Sequence, residues 1–247
     1  MNPVVIITGG SRGIGAATAL LAAERGYDVC VSYRARAEEA NALVAGLNGA
    51  GKAIAVRADV SVESDVLRLF ETVDRELGPL SALVNNAGVV ERQSRLENLS
   101  HERLQRVFAV NVFGTFLCCR EAVRRMSRSR GGAGGAIVNV SSMAARLGSP
   151  HEYIDYAASK GAVDTLTIGL AREVAAEGIR VNAVRPGLIH TEMHASGGEP
   201  GRIERLKSSV PMQRGGRPDE VARAVLWLLS AEASYATGTF IDVSGGR

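Results

Sequence analysis

Short apolar runs recur along the chain and alternate with longer segments whose apolar residues keep a helical spacing. The runs hold four to six residues, many of them β-branched, which is typical of strands buried on both faces of a parallel sheet. They cover residues 4–7, 29–32, 53–56, 80–84, 137–140, 179–184 and 239–243. The alternation predicts an α/β fold, a doubly wound parallel sheet of about seven strands with helices on both faces.

The helical pattern is clearest over residues 38–47, 62–77, 100–126 and 218–230, and in the stretch that carries Tyr156 and Lys160. Residues 190–217 differ, because they are polar and interrupted by glycine and proline, with one helical fragment at 203–209. Such a segment is typical of a mobile lid. No internal repeat, linker or low-complexity tract divides the chain, so we expect a single domain over residues 1–247.

A glycine-rich turn, TGGSRGIG, follows the first predicted strand directly and opens a helix. Gly9, Gly13 and Gly15 let the backbone turn tightly and place its amides at the helix N-terminus. Those amides and the helix dipole favour a phosphate group. The strand, turn and helix together predict a dinucleotide site.

The end of the second predicted strand indicates which dinucleotide. An NAD enzyme places an acidic residue there for the ribose 2′-hydroxyl, but the chain has Ser32, Tyr33 and Arg34. Arg34, helped by Arg12, could neutralise a 2′-phosphate instead, so NADP(H) is preferred over NAD(H). The alternative is that Arg34 and Arg36 are solvated loop charges.

A serine pair and a tyrosine–lysine pair carry the candidate chemistry. The apolar run 137–140 ends at Ser141 and Ser142, and Tyr156 and Lys160 lie four residues apart, on one face of a helix. A nearby ammonium stabilises a phenolate and lowers its pKa, so this pair could exchange protons near neutral pH. A serine hydroxyl at the adjacent strand end could hold a substrate oxygen.

These segments resemble the short-chain dehydrogenase/reductase family. The likeness rests on the glycine turn, the N-N-A-G sequence at residues 85–88, the strand-end serine, the Y-x-x-x-K motif and the P-G pair at residues 186–187, which occur in the family's order along essentially the whole chain. It implies a single-domain Rossmann fold and an oxidoreductase that transfers a hydride between a nicotinamide cofactor and a carbonyl or alcohol. One departure is the spacing from Ser142 to Tyr156, which is fourteen residues where many members have thirteen. We expect the extra residue in the loop around His151.

The resemblance also implies residue roles. Ser142 would position the substrate oxygen, Tyr156 would be the acid/base, and Lys160 would lower the tyrosine pKa and hold the nicotinamide ribose. Asn111 would hold a water for proton relay; the alternative is a satisfied buried amide. The expected cofactor contacts are Gly9, Ser11, Arg12, Gly13, Ile14, Gly15, Arg34, Asp59, Val60, Asn86, Ala87, Gly88, Tyr156, Lys160, Pro186, Gly187, Ile189 and Thr191. Asp59 would lie beside the adenine. The alternative is an N-cap for the helix that begins near Glu63, and the two roles are compatible.

The substrate is less well defined by the sequence. The chain resembles glucose-dehydrogenase-like members, which implies a sugar, polyol or small ketone, with residues 190–217 as the lid. An alternative is a 3-oxoacyl-[acyl-carrier-protein] reductase, for which Arg128, Arg130 and Arg172 could form a cationic patch for an acidic carrier. A third hypothesis is a non-catalytic NADP-sensing regulator, although such proteins usually lose the tyrosine or lysine and this chain keeps both.

Composition narrows the remaining classes. The formal charge is +3, but no basic run is interleaved with aromatic residues, so we expect no nucleic-acid partner. No apolar run is long enough to span a membrane.

No metal site is expected from the cysteines and histidines. The three cysteines lack metal-ligand spacing, which predicts reduced, buried thiols. His190 and His194 follow a proline–glycine pair that favours a loop, and their spacing suits a metal only on a helix. The early first strand leaves no room for a leader, which predicts a cytoplasmic protein. The resemblance implies a homotetramer.

Overall fold

A computed structural model describes residues 2–47 and 51–247. Its core is one parallel sheet with the strand order β3-β2-β1-β4-β5-β6-β7. The strands are β1 Val4–Ile7, β2 Asp28–Tyr33, β3 Ala53–Arg57, β4 Leu80–Asn85, β5 Gly135–Val140, β6 Ile179–Pro186 and β7 Phe240–Val243. The predicted seven-stranded, doubly wound sheet is therefore confirmed.

Helices cover both faces of the sheet. They are α1 Gly13–Glu24, α2 Ala37–Ala45, α3 Glu63–Glu76, α4 His101–Phe108, α5 Gly114–Met126, α6 Ala144–Leu147, α7 Ile154–Val174, α8 Met193–Ser196, α9 Arg202–Leu206 and α10 Pro218–Leu229. Side chains of α3, α5 and α7 pack with Val4 and Ile6 in one core cluster, whereas those of α1 and α10 pack with Val5 and Ile7 in a second. Successive side chains of a strand point to opposite faces, so each strand contributes to both clusters.

The predicted helix over residues 100–126 contains an irregularity in its middle. Between the end of α4 and the start of α5 the chain passes through a π-helical segment, Ala109–Phe113. A π-helical turn holds one more residue than an α-helical turn, and such turns are frequent at functional sites. Asn111 lies in this segment and is fully buried.

Two aspartates accept hydrogen bonds from nearby backbone N–H groups, and the contacts of Asp59 exclude its predicted capping role. Asp59 is not the N-cap of α3, because Val62 occupies that position; Asp59 instead accepts hydrogen bonds from the backbone N–H and hydroxyl of Ser61. Asp28 accepts a hydrogen bond from the backbone N–H of Lys52, at 2.7 Å, which fastens the start of β3 to β2.

Other predictions concern the interior and the helix lengths. All three cysteines are free and buried, as predicted. Among the described residues, no helix combines the length and the apolar character that crossing a membrane requires.

Candidate active site

A cleft of about 330 Å³ lies at the carboxyl ends of the strands, where the strand order reverses between β1 and β4. Open α/β sheets bind ligands at such a position. The structure brings twelve of the predicted cofactor residues into its wall: Gly9, Ser11, Arg12, Gly13, Ile14, Arg34, Asp59, Val60, Asn86, Ala87, Gly88 and Thr191.

The glycine turn has features of a site for the pyrophosphate of a dinucleotide. Gly9 and Gly13 have φ values of 61° and 55°, in the left-handed region that favours glycine. A Cβ at Gly15 would lie 2.6 Å from Asn86 Nδ2, so that glycine lies behind the cleft wall and permits the turn to pack against residues 86–88. In the described chain no side chain caps α1, which leaves its first backbone N–H groups available to an anion.

Side-chain hydrogen bonds hold the opposite wall of the cleft. Asn86 Nδ2 donates to the carbonyls of Thr8 and Gly9, both at 2.9 Å. The hydroxyl of Thr8 accepts from the backbone N–H groups of Asn86 and Ala87. The sequence marked Thr8 only as part of the turn, and its role in joining β1 to the segment after β4 depends on this tertiary contact.

Arginines surround the end of the cleft beside Asp59. Arg34 is exposed, and its guanidinium lies 3.9 Å from the Asp59 carboxylate. Arg12 and Arg36 both pair with Glu192, at 2.7 Å and 3.0 Å. No local pattern indicates a role for Glu192, because it lies far along the chain from both arginines.

A second cavity, of about 430 Å³, adjoins the cleft. Ser142, Tyr156, Pro186 and Gly187 are part of its wall, and the two cavities share Val90 and Met193. The loop between Ser142 and Tyr156 has two non-glycine residues with left-handed φ values, Ser149 at 45° and His151 at 64°. This irregular loop is where the extra residue is expected.

Lys160 lies beneath the tyrosine and is buried. Its Nζ donates to the carbonyl of Val140 at 2.8 Å and lies 5.7 Å from the centre of the Tyr156 ring. Burial disfavours the ammonium and lowers the pKa of Lys160 from 10.5 to about 8, against the opposing effect of Asp164.

Burial opposes the expected depression of the tyrosine pKa. Burial raises the pKa of Tyr156 above its ordinary value, and the nearby Ser142 hydroxyl only partly opposes this effect. The physical reason is that desolvation destabilises a phenolate, while the Lys160 ammonium is directed to the Val140 carbonyl and lies below the ring.

Asn111 connects α4–α5 to the cleft wall and to α7. Its Nδ2 donates to the Val89 carbonyl and to the Ser159 hydroxyl, both at 3.0 Å, and its Oδ1 accepts from the Val89 backbone N–H at 2.8 Å. Protein groups therefore satisfy the amide, as expected for the alternative in which Asn111 is a buried, hydrogen-bonded side chain. A Cβ at Gly88 would lie 3.5 Å from both Asn111 Oδ1 and Lys160 Nζ, so the asparagine and the lysine are neighbours.

Part of the 190–217 segment lines the second cavity, through Met193, His194, Arg202 and Leu206. Arg202 pairs with Glu152 at 2.5 Å and with Glu199 at 3.1 Å, and its guanidinium lies 4.9 Å from the Tyr153 ring centre. Arg205 also pairs with Glu152, at 2.8 Å. These contacts join α9 to the loop that precedes α7.

Some predicted site residues lie apart from both cavities. The side chain of Ile189 is buried in the second core cluster, and its carbonyl is 3.0 Å from His194 Nε2.

Within residues 2–47 and 51–247, no group of three histidine, cysteine, aspartate or glutamate side chains could hold a metal ion.

Comparisons with known proteins agree with the fold and the motifs. A family model described as enoyl-(acyl carrier protein) reductase matches residues 9–247. The chain is 60% identical over 245 residues to the uncharacterized oxidoreductase YgfF of Escherichia coli, with 99% of each chain covered. It is 36% identical over 247 residues to the 3-oxoacyl-[acyl-carrier-protein] reductase FabG of Staphylococcus aureus, covering 100% of this chain and 98% of that one.

A solved structure has the same fold. The crystal structure of a short-chain type dehydrogenase/reductase from Mycobacterium marinum matches with a TM-score of 0.90 at 36% identity, covering 99% of this chain and 94% of the other. The parallel sheet, the glycine turn and the serine–tyrosine–lysine arrangement thus occur in a chain that belongs to the short-chain dehydrogenase/reductase family of oxidoreductases.

Proposed function

We propose that the protein transfers a hydride between NADP(H) and a carbonyl or alcohol substrate, with Tyr156 as the acid/base. The observation that carries this proposal is the joining of two cavities. Ser142 and Tyr156 line one of them, the candidate cofactor residues line the other, and Val90 and Met193 belong to both. A substrate oxygen beside the phenol would therefore lie next to the inner end of the cleft.

The nicotinamide of the bound cofactor supplies or accepts the hydride. The chain's own residues position the reactants and handle the proton. Ser142 polarises the substrate oxygen and Tyr156 donates a proton to it. Lys160 would hold the nicotinamide ribose of the bound cofactor. Pro186 and Gly187, which line the second cavity, would help to hold the nicotinamide. Asn111 Oδ1 accepts one hydrogen bond from the Val89 N–H, and its second lone pair would accept from a water in the proton relay. Residues 190–217 act as the lid.

The raised pKa of Tyr156 favours the reductive direction. A buried phenol that stays protonated at neutral pH can donate to a carbonyl oxygen as the alkoxide develops. The oxidative direction needs the phenolate and would be favoured at higher pH.

A first test is the oxidation of NADPH with an acetoacetyl thioester, simple ketones and quinones, and the reduction of NADP⁺ with sugars. Absorbance of the reduced nicotinamide reports turnover directly. Activity on sugars or small ketones supports the proposed substrate class. Tight NADPH binding without turnover across the whole panel would contradict the catalytic proposal and favour the sensing regulator.

Cofactor preference can be tested at Arg34. Arg34→Ala is expected to weaken NADPH binding by about tenfold and to leave NADH binding within about twofold, because a charge-assisted contact to the 2′-phosphate is lost. Dissociation constants from calorimetric titration measure this. Arg75→Ala, which removes an exposed arginine of α3 that pairs with Glu76, is the control. Equal losses for both dinucleotides would show that Arg34 does not contact the 2′-phosphate.

The pKa of Lys160 predicts a pH profile. Lys160 is charged below about pH 8 and neutral above it. We expect kcat for carbonyl reduction to fall above that pH, approaching about tenfold per unit, because the ammonium beside the phenol is lost. A flat profile up to pH 10 would contradict a role for charged Lys160.

The same titration is expected in stability. The folded pKa of Lys160 lies below the ordinary value of 10.5, so the unfolded chain binds the extra proton between about pH 8 and 10.5. The burial penalty is fully present below that window and disappears as pH rises through it. The free energy of unfolding of the wild type should therefore increase across this window relative to Lys160→Met, as denaturant titrations can measure.

The Staphylococcus aureus relative favours 3-oxoacyl-[acyl-carrier-protein] reduction as a second candidate. The proposed arginine patch does not support it. Arg128 and Arg130 precede β5, and Arg172 lies in the last turn of α7, so these residues sit at the amino edge of the sheet. Ser142 follows the carboxyl end of β5, at the other edge. A carrier would have to dock elsewhere.

A homotetramer is also proposed, by likeness to the family. Phe113, in the π-helical segment, is 59% exposed, and Phe116, in α5, is 49% exposed, so this part of the surface presents large apolar side chains. Size-exclusion chromatography with light scattering measures the mass, and a monomer would contradict the proposal.

A further inference from the structure

Glu192 links three segments at the outer end of the cofactor cleft. It follows Thr191, at the start of the proposed lid, and its Oε2 accepts from Arg12 Nη1 at 2.7 Å. The same oxygen lies 3.0 Å from Arg36 Nη1. Arg12 belongs to the glycine turn and Arg36 to the loop after β2, so one carboxylate joins the lid to both.

The charges in this part of the cleft are largely balanced before any ligand binds. Arg12, Arg34, Arg36, Asp59 and Glu192 all line it. The two arginines hold the pKa of Glu192 below its usual range, so the carboxylate is charged at neutral pH. Arg34 is close to Asp59, and Arg36 also contacts Glu39 on α2 at 3.3 Å. Carboxylates of the chain itself thus neutralise much of the positive charge of the three arginines.

We propose that Glu192 sets the selectivity between NADPH and NADH by competing with the 2′-phosphate for Arg12 and Arg36. The proposal rests on the proposed function, in which this cleft binds a nicotinamide dinucleotide. A phosphate monoester and a carboxylate are both anions that accept charge-assisted hydrogen bonds from guanidinium groups. The 2′-phosphate must therefore displace Glu192 to reach these arginines. A 2′-hydroxyl carries no charge and needs no such displacement.

The exposure of these groups makes the competition reversible. Side chains of Arg12, Arg36 and Glu192 are 39%, 45% and 55% exposed. Ion pairs of such exposure contribute little to stability because water and salt screen them. A dianionic phosphate can replace the carboxylate, and the cost of replacement reduces the preference for NADPH below what three free arginines would give.

The test compares Glu192→Gln with the wild type in direct binding. Calorimetric titration with NADPH, NADH, adenosine 2′,5′-bisphosphate and AMP reports affinity without turnover. The variant is expected to bind NADPH and the bisphosphate about three- to tenfold more tightly, with NADH and AMP within about twofold. The gain should shrink in an Arg36→Gln background, because one of the two contested arginines is then absent.

A matched control removes a carboxylate from the lid outside the cleft. Glu204 pairs with Lys207 at 2.6 Å and does not line the cleft, so Glu204→Gln should leave all four affinities unchanged. If Glu192→Gln and Glu204→Gln tightened NADPH binding equally, the effect would come from net charge alone, which would overturn the proposal. An unchanged ratio of NADPH to NADH affinity in Glu192→Gln would overturn it as well. If the wild type bound neither dinucleotide, the proposed function itself would fail, which is a distinct result.

Discussion

Replacing Tyr156 by phenylalanine is expected to lower kcat by roughly 10²-fold to 10⁴-fold, the usual contribution of a positioned general acid. The substitution removes one hydroxyl from the wall of the second cavity and leaves the ring above Lys160. NADPH affinity should stay near the wild-type value, because the cleft that is proposed to bind the cofactor keeps its lining. Steady-state kinetics with the best substrate of the panel, together with calorimetric titration, measure both quantities.

The chain offers a close control for this experiment. Tyr153 lines the same cavity, and its hydroxyl is 3.5 Å from the carbonyl of Gly197. Tyr153→Phe removes an equivalent atom from the same cavity and should change kcat by no more than a fewfold. Full turnover by Tyr156→Phe, or an equal loss in both variants, would contradict the assignment of Tyr156 as the proton donor.

Replacing Asp155 by alanine is expected to cost about 3–5 kcal/mol of unfolding free energy, the range for breaking a buried ion pair on one side. Asp155 precedes Tyr156 in the first turn of α7 and is 1% exposed, while its partner Arg103 on α4 is 11% exposed. The guanidinium donates to both carboxylate oxygens, at 2.7 Å and 3.1 Å. Without Asp155, Arg103 would retain a desolvated charge with only the Arg92 carbonyl as a partner among these contacts.

Denaturant titration of Asp155→Ala measures this loss. The comparison is Asp74→Ala, because Asp74 forms an ion pair with Arg125 but is 43% exposed. That variant should lose about 1 kcal/mol or less. Similar losses in the two variants would show that burial of the Arg103 pair contributes little. In the folded fraction of Asp155→Ala, kcat should also fall, since the first turn of α7 carries Tyr156.

The sheet was predictable mainly because its five inner strands are buried, whereas the edge strands β3 and β7 are only partly buried. Each inner strand therefore appears as a short apolar run. The predicted bounds of β1 agree with the structure, while β5 begins two residues earlier than predicted. The candidate site was predictable for a related reason. Residues that follow parallel strands meet at one edge of the sheet, so Ser142 and Asn86 come together with the glycine turn.

Other features depend on contacts between distant parts of the chain and had no local signal. The pairing of Glu192 with Arg12 and Arg36, and of Arg103 with Asp155, joins segments whose sequences show only common charged residues. The pKa of Tyr156 was predicted in the wrong direction, because spacing reveals the neighbouring lysine but not the burial that outweighs it. The role of Asp59 differed from capping because α3 begins after Val62, and Asp59 contacts Ser61 instead.

Two asparagine side chains hold the loop after β4 from opposite directions. Asn86 bonds back to Thr8 and Gly9, and Asn111 bonds both the N–H and the carbonyl of Val89 from the π-helical segment. A loop fixed in this way has lost its conformational freedom during folding rather than on binding. The cleft consequently presents a preformed template on this side. If this cleft binds a dinucleotide as proposed, ordering of this wall should therefore not slow association.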